Sequence, residues 1–241
     1  MSWESNVPNW ASVQTAGGER ALPVYLLLDT SSSMEGTSIE SVRQGVEQCQ
    51  NECVRDQFAR EMVKMGIIVF NSDTTLHMNG LVPVIDLQLP PLIASGVTRL
   101  DLAFNMLLQS MDRDVTKAVK GGQKGDWKPM VFVLTDGYPT DRNGEPSDDL
   151  WIPARDAVVN RPKGQTKPSS IVSVGCGTDV DDAKLKAIST GIALRMHATG
   201  AAFVNLFQWL TQSIISSVQP GGNIDDPFAN IQPSPDLIRI P

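Results

Sequence analysis

Two segments restrict what this chain can fold into: Leu22-Pro-Val-Tyr-Leu-Leu-Leu-Asp29 and Pro129-Met-Val-Phe-Val-Leu-Thr-Asp136. Each is an unbroken apolar run that ends on a carboxylate. A strand with one face in water alternates apolar and polar residues, so a continuous run needs cover on both faces. Val63–Phe70 and Ser169–Gly175 read as two further buried strands, and Ala193–His197 as a late one. Between them lie helical stripes. Ile39, Val42, Val46, Cys49 and Cys53 recur in steps of 3, 4, 3 and 4, and Leu100, Phe104, Leu107, Met111 and Val115 mark a second stripe. Helices also read at Asp148–Val159, with Pro153 in the first turn, at Asp181–Ile188, and through Phe203, Leu206, Phe207, Leu210, Ile214 and Val218. Strands alternating with helices predict an α/β fold: a doubly wound, mostly parallel sheet with helices on both faces. The loosely alternating stretch Thr74–Val84 supplies one antiparallel edge strand.

Composition separates three regions of the 241 residues. Residues 1–20 are polar, 21–218 carry the strand and helix pattern, and 219–241 are rich in Pro and Gly. The two ends are expected to lie outside the sheet-and-helix core, with Trp3, Trp10 and Phe228 as docking anchors. A net charge of −7 makes nucleic acid and anionic membrane poor partners. No apolar stretch is long enough to span a membrane, and the first residues lack the basic start and apolar run of a secretory leader. Cys49, Cys53 and Cys176 read as reduced core thiols, so a cytoplasmic protein is expected.

In doubly wound sheets ligands bind beyond the carboxyl ends of the strands. There Asp29-Thr-Ser-Ser-Ser33 offers a carboxylate and several hydroxyls within five residues. Asp136 brings a second carboxylate, and Thr98, in Ser95-Gly-Val-Thr98, a hydroxyl from a third loop. All are oxygen donors, the kind that hard divalent cations prefer, and two carboxylates balance a divalent charge. Taken singly, each residue is also an ordinary turn or strand-end residue. Thr98 and Asp101 stand in capping-box spacing, which reads Asp101 as a helix cap.

Asp29-x-Ser31-x-Ser33, then Thr98, then Asp136 in Thr-Asp-Gly resembles the metal-ion-dependent adhesion site of von Willebrand factor A domains. Within that family, Leu22–Met34, Lys124-Gly-Asp-Trp-Lys-Pro129 and Leu134-Thr-Asp-Gly-Tyr-Pro-Thr-Asp141 are similar to TerY-type proteins, bacterial domains associated with tellurium-resistance and stress gene clusters. The resemblance implies Mg2+ or Mn2+ held directly by Ser31 and Ser33, by Thr98 directly or through water, and by Asp29 and Asp136 largely through water. It also implies an adaptor in a bacterial stress, tellurium-resistance or defence-type system, with a protein kinase or PP2C-like phosphatase as companion. Ser32 replaces the Gly that is usual in the motif and asks for negative φ there.

No phosphate-binding G-x-x-x-x-G-K-[ST] and no G-x-S-x-G elbow is present. The two histidines, His77 and His197, do not suit a catalytic triad. A non-enzymatic interaction module is therefore expected, whose cation meets an Asp or Glu of a protein partner. A metal-dependent phosphoesterase is the alternative, with Asp101 or Asp141 as base. A scaffold with a purely structural metal is a third. Trp127 reads either as packing or as a surface anchor.

Overall fold

A computed structural model describes residues 20–119, 122, 124–177, 180–223, 228 and 231–241. In chain order the elements are β1 (Leu22–Asp29), α1 (Thr37–Arg55), α2 (Gln57–Met62), β2 (Val63–Phe70), β3 (Thr74–Leu76), β4 (Val82–Pro83) and α3 (Leu100–Asp114). They continue with β5 (Met130–Thr135), α4 (Trp151–Val159), β6 (Ser170–Cys176), α5 (Asp182–Ile188), β7 (Ile192–Met196), α6 (Gly200–Val218) and β8 (Ile238–Arg239). The sheet runs β3-β2-β1-β5-β6-β7-β8, with β4 also on β2. β2, β1, β5, β6 and β7 are parallel, and β3 and β4 run antiparallel at one edge. This is the expected doubly wound architecture. The stretch read as one edge strand is divided by a 3-10 turn at His77–Asn79.

β1 is the hub, since every one of its eight residues is buried. Leu22, Val24, Leu26 and Leu28 point to the layer of α1, α2 and α6, while Tyr25 and Leu27 point to α3 and α4. From β1 the chain first winds to β2 and later crosses to β5 on the other side. The strand order therefore reverses between β1 and β5, where the two following loops diverge and leave a crevice.

α1 and α6 approach closely at Gly45, where a Cβ would lie 2.0 Å from a ring carbon of Phe207. In α6 the buried hydroxyls of Thr211, Ser213 and Ser217 donate to the carbonyls of Phe207, Trp209 and Ser213, which satisfies them without polar partners in the core. α2 was not legible in the hydrophobic pattern because it has six residues; its start is marked by Asp56, whose side chain accepts the Ala59 N–H.

The described residues of 219–241 do not lie outside the sheet-and-helix core, contrary to composition, and Phe228 docks as an anchor. Phe228 is buried, stacked on Trp209 at 5.1 Å and edge-on to Phe132 at 6.0 Å. The Trp209 indole N–H donates to the Ile231 carbonyl, and Asn205 to Asp236. Ile238 and Arg239 then pair antiparallel with β7, giving the sheet a second antiparallel edge. Among the described residues, Phe228, Ile231 and Leu237 of the strap pack beside α6 on this face of the sheet. Trp3 and Trp10 lie outside the described residues.

Cys49, Cys53 and Cys176 are buried and free. A hydrogen bond to Cys49 together with burial pushes the Cys53 thiol up, and burial does the same to Cys176. Trp127 packs against the core beneath the Arg20 guanidinium, 3.4 Å from the ring centroid. Among the described residues no helix is long and apolar enough to cross a membrane.

Two substitutions test this packing. Gly45→Ala, which in a free helix gains about 1 kcal/mol, should here lose about 1–3 kcal/mol through overpacking against Phe207. Phe228→Ala should cost about 3 kcal/mol, which a separate tail would not show. Urea unfolding of each variant measures both.

Candidate metal centre

The site is built where β1 and β5 end. Asp29 closes β1 with no exposed surface. Burial raises its carboxyl pKa to about 6, against the Thr135 hydroxyl (2.6 Å to Oδ2) and the Ser31 side chain and backbone N–H (2.8 Å to Oδ1), which favour the charged form. The charge of Asp136 adds to the upward shift.

The chain leaves β1 extended at Ser31 (φ −65°, ψ 164°) and turns through a single 3-10 turn, Ser32–Met34, pinned by the buried Met34. Ser32 fits this turn with negative φ, so no glycine is required there. The turn sets the Ser31 and Ser33 hydroxyls 3.1 Å apart, and Ser33 donates to Asp136 Oδ1 at 2.7 Å.

Thr98 arrives on the third loop, which is fastened to the first by two backbone bonds, Ser95 N–H to Thr30 O (2.8 Å) and Ser32 N–H to Gly96 O (3.0 Å). Gly96 sits at φ +71°, and a Cβ there would lie 2.2 Å from Ser72 Oγ, so only glycine fits. The Thr140 N–H donates to the Thr98 carbonyl, tying this loop to that of Asp136. Gly137 joins the pieces. A Cβ on it would lie 3.7 Å from Thr98 Oγ1 and 4.0 Å from Ser33 Oγ, so the absent side chain leaves room beside both hydroxyls.

All five residues singled out in the sequence thus meet at one sheet edge. Asp29, Ser31, Ser33 and Asp136 form a chain of hydrogen bonds, and Thr98 faces Ser33 across Gly137. The donors are two carboxylates and three hydroxyls. Among the described residues no group of three or more His, Cys, Asp or Glu is placed to hold a metal ion. An all-oxygen donor set with a small open floor fits a hard divalent cation such as Mg2+ or Mn2+.

Three residues matter that the sequence reading did not assign. Thr135 orients Asp29, Gly137 keeps the floor open, and Arg99 engages Asp101. The first two stand in the Thr-Asp-Gly turn and were open to view there. The capping expectation is corrected: α3 is preceded by Arg99 with no side-chain cap, and Asp101 instead forms a two-pronged pair with Arg99, both bonds 2.8 Å, mostly buried. Asp141 folds its own loop, accepting the N–H groups of Asn143 (2.7 Å) and Glu145 (3.0 Å), which lowers its pKa. Tyr138 donates to Asp181, the residue that caps α5, and so ties the Asp136 loop to that helix.

No curated protein matches the chain. Solved structures of similar fold include a von Willebrand factor type A protein from Catenulispora acidiphila, 12% identical with a TM-score of 0.59, covering 82% of this chain and 43% of that one. The pilus adhesin SpaC from Lactobacillus rhamnosus GG in its open conformation is 14% identical with a TM-score of 0.64, covering 83% and 30%. The chain therefore spans less than half the length of either protein. The vWF domain of the type V pili tip protein Mfa5 from Porphyromonas gingivalis is 12% identical with a TM-score of 0.55, covering 84% and 97%. At such identities these likenesses establish the fold alone. The profile of the von Willebrand factor type A domain matches residues 24–208, the whole span from β1 into α6, and the chain belongs to that family.

Proposed function

We propose that this von Willebrand A domain is a non-enzymatic interaction module that holds Mg2+ or Mn2+ on Asp29, Ser31, Ser33, Thr98 and Asp136 and there receives a carboxylate of a protein partner. The observation that carries this reading is the gathering of two carboxylates and three hydroxyls around the open floor at Gly137. When bound, the cation would supply a hard Lewis-acidic point for one external anionic oxygen. Ser31, Ser33 and Thr98 would give neutral oxygens. Asp29, with both oxygens engaged by Thr135 and Ser31, would give charge and accept from ordered water.

The geometry disfavours a phosphoesterase. Its two candidate bases are both committed, Asp101 to Arg99 and Asp141 to its own loop backbone. The likeness to TerY-type proteins and the pilus and adhesin context of the structural neighbours both fit an interaction role. We extend the proposal to an adaptor in a bacterial stress, tellurium-resistance or defence-type system, with a protein kinase or PP2C-like phosphatase as partner.

Thermal unfolding tests the metal. Millimolar Mg2+ or Mn2+ should raise the melting temperature over that in EDTA by mass action. A carboxyl whose pKa rises on folding withdraws stability above that pKa and returns it as pH falls. In EDTA at neutral pH, Asp29→Asn should therefore melt no lower than wild type, yet lose the metal-induced gain. Gly137→Ala should fold normally and show a reduced gain, because its methyl enters the space beside Thr98 and Ser33. Asp101→Asn should melt lower by breaking a mostly buried pair, and keep the gain. Equal melting of wild type with metal and with EDTA would refute the site.

A second measurement concerns the partner. Binding of a purified kinase or phosphatase companion should vanish with EDTA and with Ser31→Ala/Ser33→Ala, and weaken only partly in high salt. Binding untouched by chelation would instead assign the metal a structural role.

A further inference from the structure

We propose that the sheet edge opposite the metal loops docks the acidic metal edge of a second copy of this chain, head to tail. The loops that lead into β5 and β6 meet at the amino ends of those strands. The Ser169 N–H donates to the Pro129 carbonyl at 2.8 Å, and Asp112 receives Arg161 at 2.6 Å while lying 3.7 Å from Lys117. The turn at Gly125 folds back so tightly that a Cβ would come 2.5 Å from the Ala118 nitrogen. This arrangement places Lys117, Lys124, Lys128, Lys163 and Lys167 on one edge, all exposed.

The acids nearby are already occupied. Asp112 serves Arg161, Asp114 serves Ser110 and Arg113, and Asp126 accepts the N–H groups of Ala21 and Thr116. Among the described residues no ion pair involves Lys124, Lys128, Lys163 or Lys167, so the edge keeps its positive charge in a chain of −7. Helix dipoles do not account for these lysines, because that effect fades within the last turn. α3 ends at Asp114, well before Lys124 and Lys128, and α4 ends at Val159, well before Lys167.

The complement is on the same molecule. Glu35, Asp73, Glu145 and Asp149 are exposed on the loops at the carboxyl edge, with no ion pair among the described residues. A second copy carries the same −7, but at contact distance its acidic edge faces the lysines directly, and the remaining charges of both copies lie farther off and are screened. The two edges are opposite ends of the same strands, so the contact is heterologous and can repeat. Its charged groups are none of the five residues of the candidate metal centre, so it is tested in EDTA, but it would cover the edge at which the proposed function seats a partner.

Sedimentation velocity of the full chain in EDTA tests it, comparing about 20 mM with about 300 mM salt. At low salt the mass should rise with protein concentration, and association should weaken about tenfold or more at high salt. Lys124→Glu/Lys128→Glu/Lys167→Glu, acidic at both edges, and Glu35→Lys/Asp73→Lys/Glu145→Lys, basic at both, should each stay monomeric. Their mixture should associate again. Should a charge-reversed variant misfold, the matching Gln or Asn variants should show the same loss. A wild type that is monomeric at low salt, or self-association that survives either set of changes, would overturn the proposal.

Discussion

β1 has no face in water. Its side chains alternate between the α1–α2–α6 layer and the α3–α4 layer, and all eight residues are buried. Such enclosure is the usual state of a strand with parallel neighbours and crossover helices above and below. The chain reaches that state by winding first to β2 and then to β5, and this reversal opens the crevice where Asp29 and Asp136 emerge. The same enclosure denies water to Asp29 and raises its carboxyl pKa. Protein donors from Thr135 and Ser31 substitute for the missing solvent and fix where the carboxylate points.

The candidate site therefore places a charged group where burial is costly. A charged group at the end of a buried strand is costly, and hydrogen bonds offset only part of that cost. Three loops converge on it, each held by backbone bonds to its neighbour rather than by the site residues alone. Rigid support of this kind keeps small hydroxyls within reach of one another, as a binding site requires. The loop bearing Asp136 is also fastened outward, through Tyr138 to the cap of α5.

Function and fold separate cleanly along the strands. Among the described residues, the carboxyl edge carries the oxygen donors and the acids Glu35, Asp73, Glu145 and Asp149 outside any ion pair, and the amino edge Lys124, Lys128, Lys163 and Lys167 likewise. The middle is apolar and sets only the distance between them. The described residues of the 219–241 strap join this middle, because Phe228 and Leu237 pack into the α1–α2–α6 layer.

Much was legible in the sequence, and the reason is local. Burial on both faces imposes continuous apolar runs, so β1, β2, β5 and β6 were visible, as were the stripes of α1, α3 and α6. The carboxylates and hydroxyls that end those runs were visible too, since a doubly wound sheet puts strand ends at its ligand edge. What tertiary structure alone decided depends on distant partners. Asp101 has the spacing of a cap, yet the Arg99 guanidinium claims it once both are withdrawn from water. Phe228 lies in a segment whose Pro and Gly content suggests a loose tail, and only the slot between Trp209 and Phe132 gives it a place in the core. Pattern records what a residue needs; which group supplies it is settled only when chain segments far apart in sequence pack together.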